Sequence, residues 1–281
     1  MKIILITLIT IGLLALILAI ILYIVAQKFK VEENPLLAEV LEFLPGANCG
    51  GCGYPGCSGF AEVCVNKNSL EGMFCPAGGN EVMKKVATVL GLTASEQLPK
   101  IAVLKCNGST SVRPKLTNYD GVTTCAIAHA TYGGETGCVY GCLGFGDCVK
   151  ACSFNGLSMD KETNLPIFDE TICTTCASCV KTCPRNIIEI REKGKNNRRI
   201  YIACQNQDKG AEAKKACAAA CIACSKCVKI CPSEAIHIIN NYAYIDATKC
   251  KLCRKCTSEC PTGAILEINF PPRKAMENNE E

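Results

Sequence analysis

The sequence predicts an α+β protein tethered by one apolar helix, and three observations carry that prediction. An uncharged run from Ile3 to Ala26 opens the chain. Beyond it, most of the 25 cysteines fall into groups of four at repeating spacings. Three of those groups are followed by a proline and then by a short apolar alternation of the kind that builds strands. The organisation read from these signals is a transmembrane helix over 1–26, a small mainly helical domain over 32–92 and a connecting segment over 93–132. Two tandem modules follow over 133–193 and 212–270, and an acidic tail over 271–281.

Composition narrows the function classes. The 281 residues suffice for about two domains. There is no Trp and only 6% of residues are aromatic, so one large conventional core is excluded. Whatever the cysteines hold must supply much of the folding energy. A net charge of +4 from 30 basic and 26 acidic residues is nearly balanced, which argues against a nucleic-acid binder.

Within the opening run, only Thr7 and Thr10 are clearly polar. At about 1.5 Å per residue the run covers a hydrocarbon core of roughly 30 Å. It is longer than the apolar core of a cleaved signal peptide, about 7–15 residues, and no small-x-small cleavage site follows Ala26. An uncleaved single span is expected. Lys2 on one side and Lys28 and Lys30 on the other leave the positive-inside rule close to a tie.

The cysteines carry the chemistry. The first group is Cys49-x2-Cys52-x4-Cys57-x17-Cys75, set in a glycine-rich stretch; the second is Cys138-x3-Cys142-x5-Cys148-x3-Cys152. Three copies of C-x2-C-x2-C-x3-C-P follow: Cys173, Cys176, Cys179 and Cys183; Cys221, Cys224, Cys227 and Cys231; Cys250, Cys253, Cys256 and Cys260. Disulfides give no reason for such clustering. Zinc prefers two separated C-x2-C pairs. The spacing matches cubane iron–sulfur clusters, in which three thiolates on one tight loop join a fourth from the partner motif.

The chain from about Cys138 to Ile268 therefore reads as two tandem bacterial-type 2[4Fe–4S] ferredoxin modules. Leu165–Asp169 and Tyr242–Asp246 read as returning strands. Cross-ligation predicts Cys138, Cys142 and Cys148 with Cys183, and Cys173, Cys176 and Cys179 with Cys152. In the second module it predicts Cys221, Cys224 and Cys227 with Cys260, and Cys250, Cys253 and Cys256 with Cys231. With Cys49, Cys52, Cys57 and Cys75, that makes five [4Fe–4S] clusters. The first module departs from the pattern, because Phe145 occupies the middle ligand position and Ser153 the usual proline. Cys138, four residues before Cys142, is expected to supply the missing thiolate. Cys64, Cys106, Cys125, Cys204 and Cys217 are left over. In the first domain, Ser58–Phe74 and Glu81–Leu90 read as helices, the second stopped by Gly91.

With these residues in view, nearly the whole chain resembles the B subunit of the Rnf complex, the ion-pumping ferredoxin:NAD oxidoreductase of bacterial and archaeal membranes. The anchor, the Cys49–Cys75 group, the offset Cys138/Cys142/Cys148/Cys152 motif and the additional ferredoxin module carry the resemblance. It implies iron–sulfur domains on the cytoplasmic side of the inner membrane, held there by the lipid-embedded helix. It also implies electron uptake from reduced ferredoxin and delivery to other membrane and peripheral subunits of the complex, where NAD reduction and ion transport would take place.

The residues themselves offer no complete active site. Gly144-Phe145-Gly146 lacks the third glycine of a dinucleotide fingerprint, and His129 and His237 form no general-base constellation. Arg191, Lys193, Lys195, Arg198 and Arg199 form a basic stretch that could steer an acidic ferredoxin, or could be a solvated hairpin. Two other function classes stay open: a membrane-tethered polyferredoxin serving a different reductase, for example one that reduces a redox-sensing regulator, and a zinc-stapled membrane adaptor.

Overall fold

A computed structural model describes residues 2–28, 34–67 and 69–273. The start of the first domain at 32–33 and most of the expected acidic tail lie outside the described residues. The opening run forms helix α1 (Lys2–Lys28), apolar on every side. Its Ile11–Lys28 stretch has a mean hydropathy of 2.3 and none of it is covered by the rest of the chain. The helix is long and apolar enough to cross a membrane.

Three helices build the next domain. Helix α2 (Pro35–Phe43) starts with proline in its first turn, and Asn34 caps it by accepting from Leu36 N–H. Helices α3 (Gly56–Asn66) and α4 (Gly79–Leu90) follow, and α4 ends on Gly91, whose φ of 65° suits glycine. Val40, Phe60, Met83 and Val86 meet in the core, with Cys64 buried among them as a small apolar side chain.

The rest of the chain is one arrangement used twice. The first unit runs β1 (Lys100–Leu104), α5 (Cys125–Thr131), α6 (Asp147–Lys150), β2 (Leu157–Met159), β3 (Pro166–Phe168), α7 (Ser178–Thr182) and β4 (Ile188–Glu192). The second runs β5 (Arg199–Ile202), α8 (Gly210–Ala216), α9 (Lys226–Ile230), β6 (Ile236–Ile239), β7 (Tyr242–Ile245), α10 (Lys255–Ser258) and β8 (Ile265–Ile268). Each unit pairs its first strand with its last, antiparallel: Ala102 faces Ile190, and Ile200 faces Glu267. Each encloses a hairpin, β2–β3 or β6–β7.

Both opening strands fall outside the bounds read from sequence. β1 lies in the segment read as connecting, and β5 precedes residue 212. Their partners stand more than 60 residues downstream, so local pattern alone does not attach them to their modules. A short 3₁₀ turn at Lys195–Asn197 links β4 to β5. The units then pack through Ile101 and Val103 of the first against Tyr201 and Ala203 of the second, and Asn107 N–H donates to Ala203 C=O at 2.8 Å.

Candidate metal centres

The three regular cysteine loops share one backbone device. Thr175 and Ala177, on either side of Cys176, hold φ of 57° and 63°. Ala223 and Ser225 flank Cys224 at 52° and 60°, and Leu252 and Arg254 flank Cys253 at 54° and 66°. Left-handed residues alternating with ordinary ones curl a short chain into a concave nest. Each such non-glycine residue costs roughly 1–3 kcal/mol, which persists only where the surroundings hold the loop in place. Arg254 is held by a two-point pair to Glu267, at 2.9 and 2.5 Å, and that pair keeps the Glu267 carboxyl down at about 2. The prolines act at the loop exits. Cys183 and Cys231 precede Pro184 and Pro232, are held extended by them, and so close α7 and α9.

These loops bring cysteines together around cavities. Cys152, Cys173, Cys176 and Cys179 line one, and Cys221, Cys224, Cys227 and Cys260 line another. Cys250 lies close enough to Cys231 and Cys253 to interact electrostatically, and Cys256 to Cys250 and Cys253. In the first domain Cys75 stands in the same relation to Cys52 and Cys57, on the loop that Cys49 opens.

One group differs from the sequence reading. Cys142, Cys148 and Cys183 line a cavity, and the fourth cysteine on its wall is Cys125 rather than Cys138. Cys125 opens α5, where Thr124 caps the helix by accepting from Ile127 N–H. The Asp147 carboxylate accepts from Ala126 N–H at 3.1 Å, which pins the start of α5 beside α6. Nearness in sequence favours Cys138, but the fold carries Cys138 into a neighbouring cavity and returns Cys125 from a separate helix. The missing central ligand at Phe145 is the signal that a remote cysteine is needed; which one, the spacing does not say.

The donor sets fit iron–sulfur clusters. Burial pushes the Cys142, Cys179 and Cys256 thiols up to about 12 and those of Cys148 and Cys227 up to about 11, so only metal binding displaces their protons near neutral pH. Backbone N–H groups already point at sulfur: Gly78 to Cys75 Sγ and Ala243 to Cys221 Sγ, both at 3.4 Å. Among the described residues, no three Cys, His, Asp or Glu side chains close around a point tightly enough for a single metal ion. A tetrahedral zinc site with Zn–S near 2.3 Å would hold its sulfurs about 3.8 Å apart. Four thiols set around a shared cavity, rather than closed on one point, suit a polynuclear core instead.

Neighbouring groups lie close together. A Cβ at residue 51 would stand 2.8 Å from Cys176 Cα, so glycine there lets the Cys49–Cys57 loop lie against the Cys173–Cys179 loop. Cys179 interacts with Cys148 where α6 packs on α7, and Cys256 with Cys227 where α9 packs on α10.

The basic stretch is not an open docking face. Arg191, 4% exposed, donates to Ile245 C=O, pairs with Glu189 at 3.5 Å and lies over the Tyr244 ring. Arg199, 8% exposed, pairs with Glu170 at 2.7 Å, and Lys193 Nζ donates to Glu170 C=O at 2.9 Å. Arg198 lies over the Phe270 ring. Of the five, Lys195 is the exposed one. Arg191 of the first unit reaches the second and Arg199 of the second reaches the first, so the stretch is a reciprocal clasp.

Comparison with known proteins adds identity. The 4Fe-4S dicluster domain matches residues 172–235 and again 220–264, and an Fe-S cluster family matches 44–73. The 172–235 match joins motifs that the strand pairing assigns to different units. The B subunit of the Na⁺-translocating ferredoxin:NAD⁺ oxidoreductase complex of Acetobacterium woodii is 40% identical over 238 residues, 85% of this chain and 70% of the relative. The B subunit of the proton-translocating ferredoxin:NAD⁺ oxidoreductase complex of Clostridium ljungdahlii is 37% identical over 239 residues, 85% of this chain and 83% of the relative. The B subunit of an ion-translocating oxidoreductase complex of Methanosarcina acetivorans is 35% identical over 228 residues, 81% and 84%. Identity at this level, sustained over most of both partners, places the chain in the family of Rnf-complex B subunits, as an iron–sulfur electron-transfer subunit of an ion-translocating oxidoreductase.

Proposed function

We propose that this subunit takes electrons from reduced ferredoxin and conveys them toward NAD-reducing partner subunits through [4Fe–4S] clusters on five cysteine quartets. The quartets are Cys49/Cys52/Cys57/Cys75, Cys125/Cys142/Cys148/Cys183, Cys152/Cys173/Cys176/Cys179, Cys221/Cys224/Cys227/Cys260 and Cys231/Cys250/Cys253/Cys256. The observation that carries this reading is the closeness of neighbouring quartets: Gly51 lies against Cys176, and Cys179 and Cys148, like Cys227 and Cys256, are near enough to interact electrostatically. When bound, each cluster takes up and returns one electron with no bond made or broken. The chain's own residues supply thiolates and aim N–H groups at sulfur.

Helix α1 would tether these units to the inner membrane on its cytoplasmic face, where thiols stay reduced. It carries no Asp, Glu, Lys, Arg or His between Ile3 and Ala26, so the ion path is assigned to partner subunits. The test is the full chain purified anaerobically in detergent, with iron, acid-labile sulfide and zinc measured and cluster absorbance followed on adding reduced ferredoxin. Labile sulfide equal to iron, bleaching by ferredoxin, and loss of four iron in Cys57→Ala are expected. Zinc without labile sulfide, or filled clusters that ferredoxin leaves oxidised, would overturn the reading.

A further inference from the structure

Four of the cysteines that the five quartets leave unused meet at the junction of the two units. Cys106, Cys138, Cys204 and Cys217 line one cavity, as the other quartets line theirs. A Cβ at residue 141 would stand 3.4 Å from Cys138 Sγ and 3.5 Å from Cys106 Sγ, so Gly141 leaves open the space between these two sulfurs. Cys217 interacts with both Cys106 and Cys138, and Cys204 with Cys106.

The four positions are related by the internal repeat. Cys106 stands two residues beyond the end of β1, and Cys204 two residues beyond the end of β5. Cys138 precedes Cys142 by four residues, and Cys217 precedes Cys221 by four. Each unit thus contributes the same two thiols to a shared, pseudo-symmetric site.

Every sulfur there receives an N–H. Cys142 N–H donates to Cys106 Sγ at 3.3 Å. Asn206, 1% exposed, donates its side-chain amide to Cys138 Sγ and its backbone N–H to Cys204 Sγ, both at 3.5 Å. Ala219 N–H donates to Cys217. Two buried cations flank the site. Arg113 lines the cavity and donates to Cys142 C=O at 2.5 Å, and Arg185 donates to Cys138 C=O at 3.2 Å. Neither has a carboxylate partner among the described residues, and the Nε of each is buried without an acceptor. A buried guanidinium without an anion is costly. Four thiolates around a cubane core carry the net negative charge that these two lack.

We propose that Cys106, Cys138, Cys204 and Cys217 hold a sixth [4Fe–4S] cluster between the two units. The proposal rests on the reading that the other quartets hold clusters of the same kind. It accounts for every cysteine except Cys64, which is packed in the first domain's core. It also gives electrons a stepping point across the junction, since Cys106 adjoins the Cys142 quartet and Cys204 interacts with Cys221.

The test counts metal on the full chain purified anaerobically, by iron and sulfide assay together with native mass. Six clusters require about 24 iron and 24 sulfide, and Cys204→Ala and Cys217→Ala should each lose four of both, while Cys64→Ala loses none. About 20 iron in the unaltered protein, with Cys204→Ala unchanged, overturns the sixth site and leaves the five-quartet reading standing. One zinc per chain that Cys217→Ala abolishes overturns it as well. Absence of labile sulfide altogether overturns the five-quartet reading first. The count on the unaltered protein decides even where a variant fails to fold.

Discussion

The loop from Cys142 to Cys148 and the loop from Cys221 to Cys227 occupy the same place in two copies of one fold, and they solve its strain differently. The second unit keeps three thiols on the loop and tolerates Ala223 and Ser225 at φ of 52° and 60°. The first unit has Phe145 where a thiol would be, and the same two positions are Gly144 and Gly146, at 82° and 76°. A central thiolate bound to metal holds non-glycine residues in a conformation they disfavour. Without that bond, glycine takes over the curl and a thiol must come from elsewhere. Phe145 meanwhile packs on Tyr119, ring centroids 5.6 Å apart.

The largest effect that would break this comparison is loss of a whole centre. Cys125→Ala should remove one four-iron cluster or leave a three-iron remnant, read as iron per chain and as a new resonance in the oxidised protein. Restoring the thiol on the loop, in the double variant Phe145→Cys/Cys125→Ala, should bring the iron back. A single Cys125→Ala variant with full iron would mean that the first unit does not need its remote cysteine.

The junction between the units ranks next. Arg199 is nearly buried against Glu170, and that carboxylate also accepts from Asn269 Nδ2 at 2.9 Å. Glu170 is partly exposed and keeps Asn269, so removing Arg199 should cost about 2 kcal/mol, the worth of a hydrogen bond between charged groups. Arg199→Ala should lower the denaturant midpoint accordingly in an anaerobic titration followed by cluster absorbance. A shift below about 0.5 kcal/mol would show that the clasp does not hold the units together.

Glycine strain predicts a smaller, signed difference. Gly146→Ser places a side chain at φ of 76°, with its Cβ 3.3 Å from Met159 Cγ, and should cost about 1–2 kcal/mol. The reciprocal Ser225→Gly should be neutral or stabilising by up to about 1 kcal/mol. Equal and opposite signs at the two loops would support the comparison, whereas two destabilising substitutions would mean that Ser225 contributes through its side chain.

What the sequence made legible follows the same division between local and remote. The regular motifs and the returning strands that precede two of them, β3 and β7, depend on residues within about ten positions of one another and can be read directly. So can α4, from its apolar face and terminal glycine. β1 and β5 pair with strands far downstream, and Cys125, Cys106 and Cys204 reach their cavities only after that pairing closes. The shared position of Cys106 and Cys204, two residues past an opening strand, is a repeat signal in the sequence, but it becomes visible only once both strands are known to open their units. The basic stretch misleads for a related reason. Charge counted along the chain does not reveal that Arg191 and Arg199 have acceptors across the junction.

Lys195 then gives the smallest effect and the clearest contrast. It sits at the tip of the turn between β4 and β5, exposed, while arginines of the same stretch are drawn inward. Asn196 and Asn197, at φ of 59° and 58°, make that turn without its help. Lys195→Ala should change stability by less than about 0.5 kcal/mol. If the turn takes no part in meeting ferredoxin, the variant should also leave the salt dependence of cluster reduction unchanged. A rate that falls at low salt and recovers at high salt would return a steering role to this one lysine, carried by its exposed charge alone and not by the stretch as a whole.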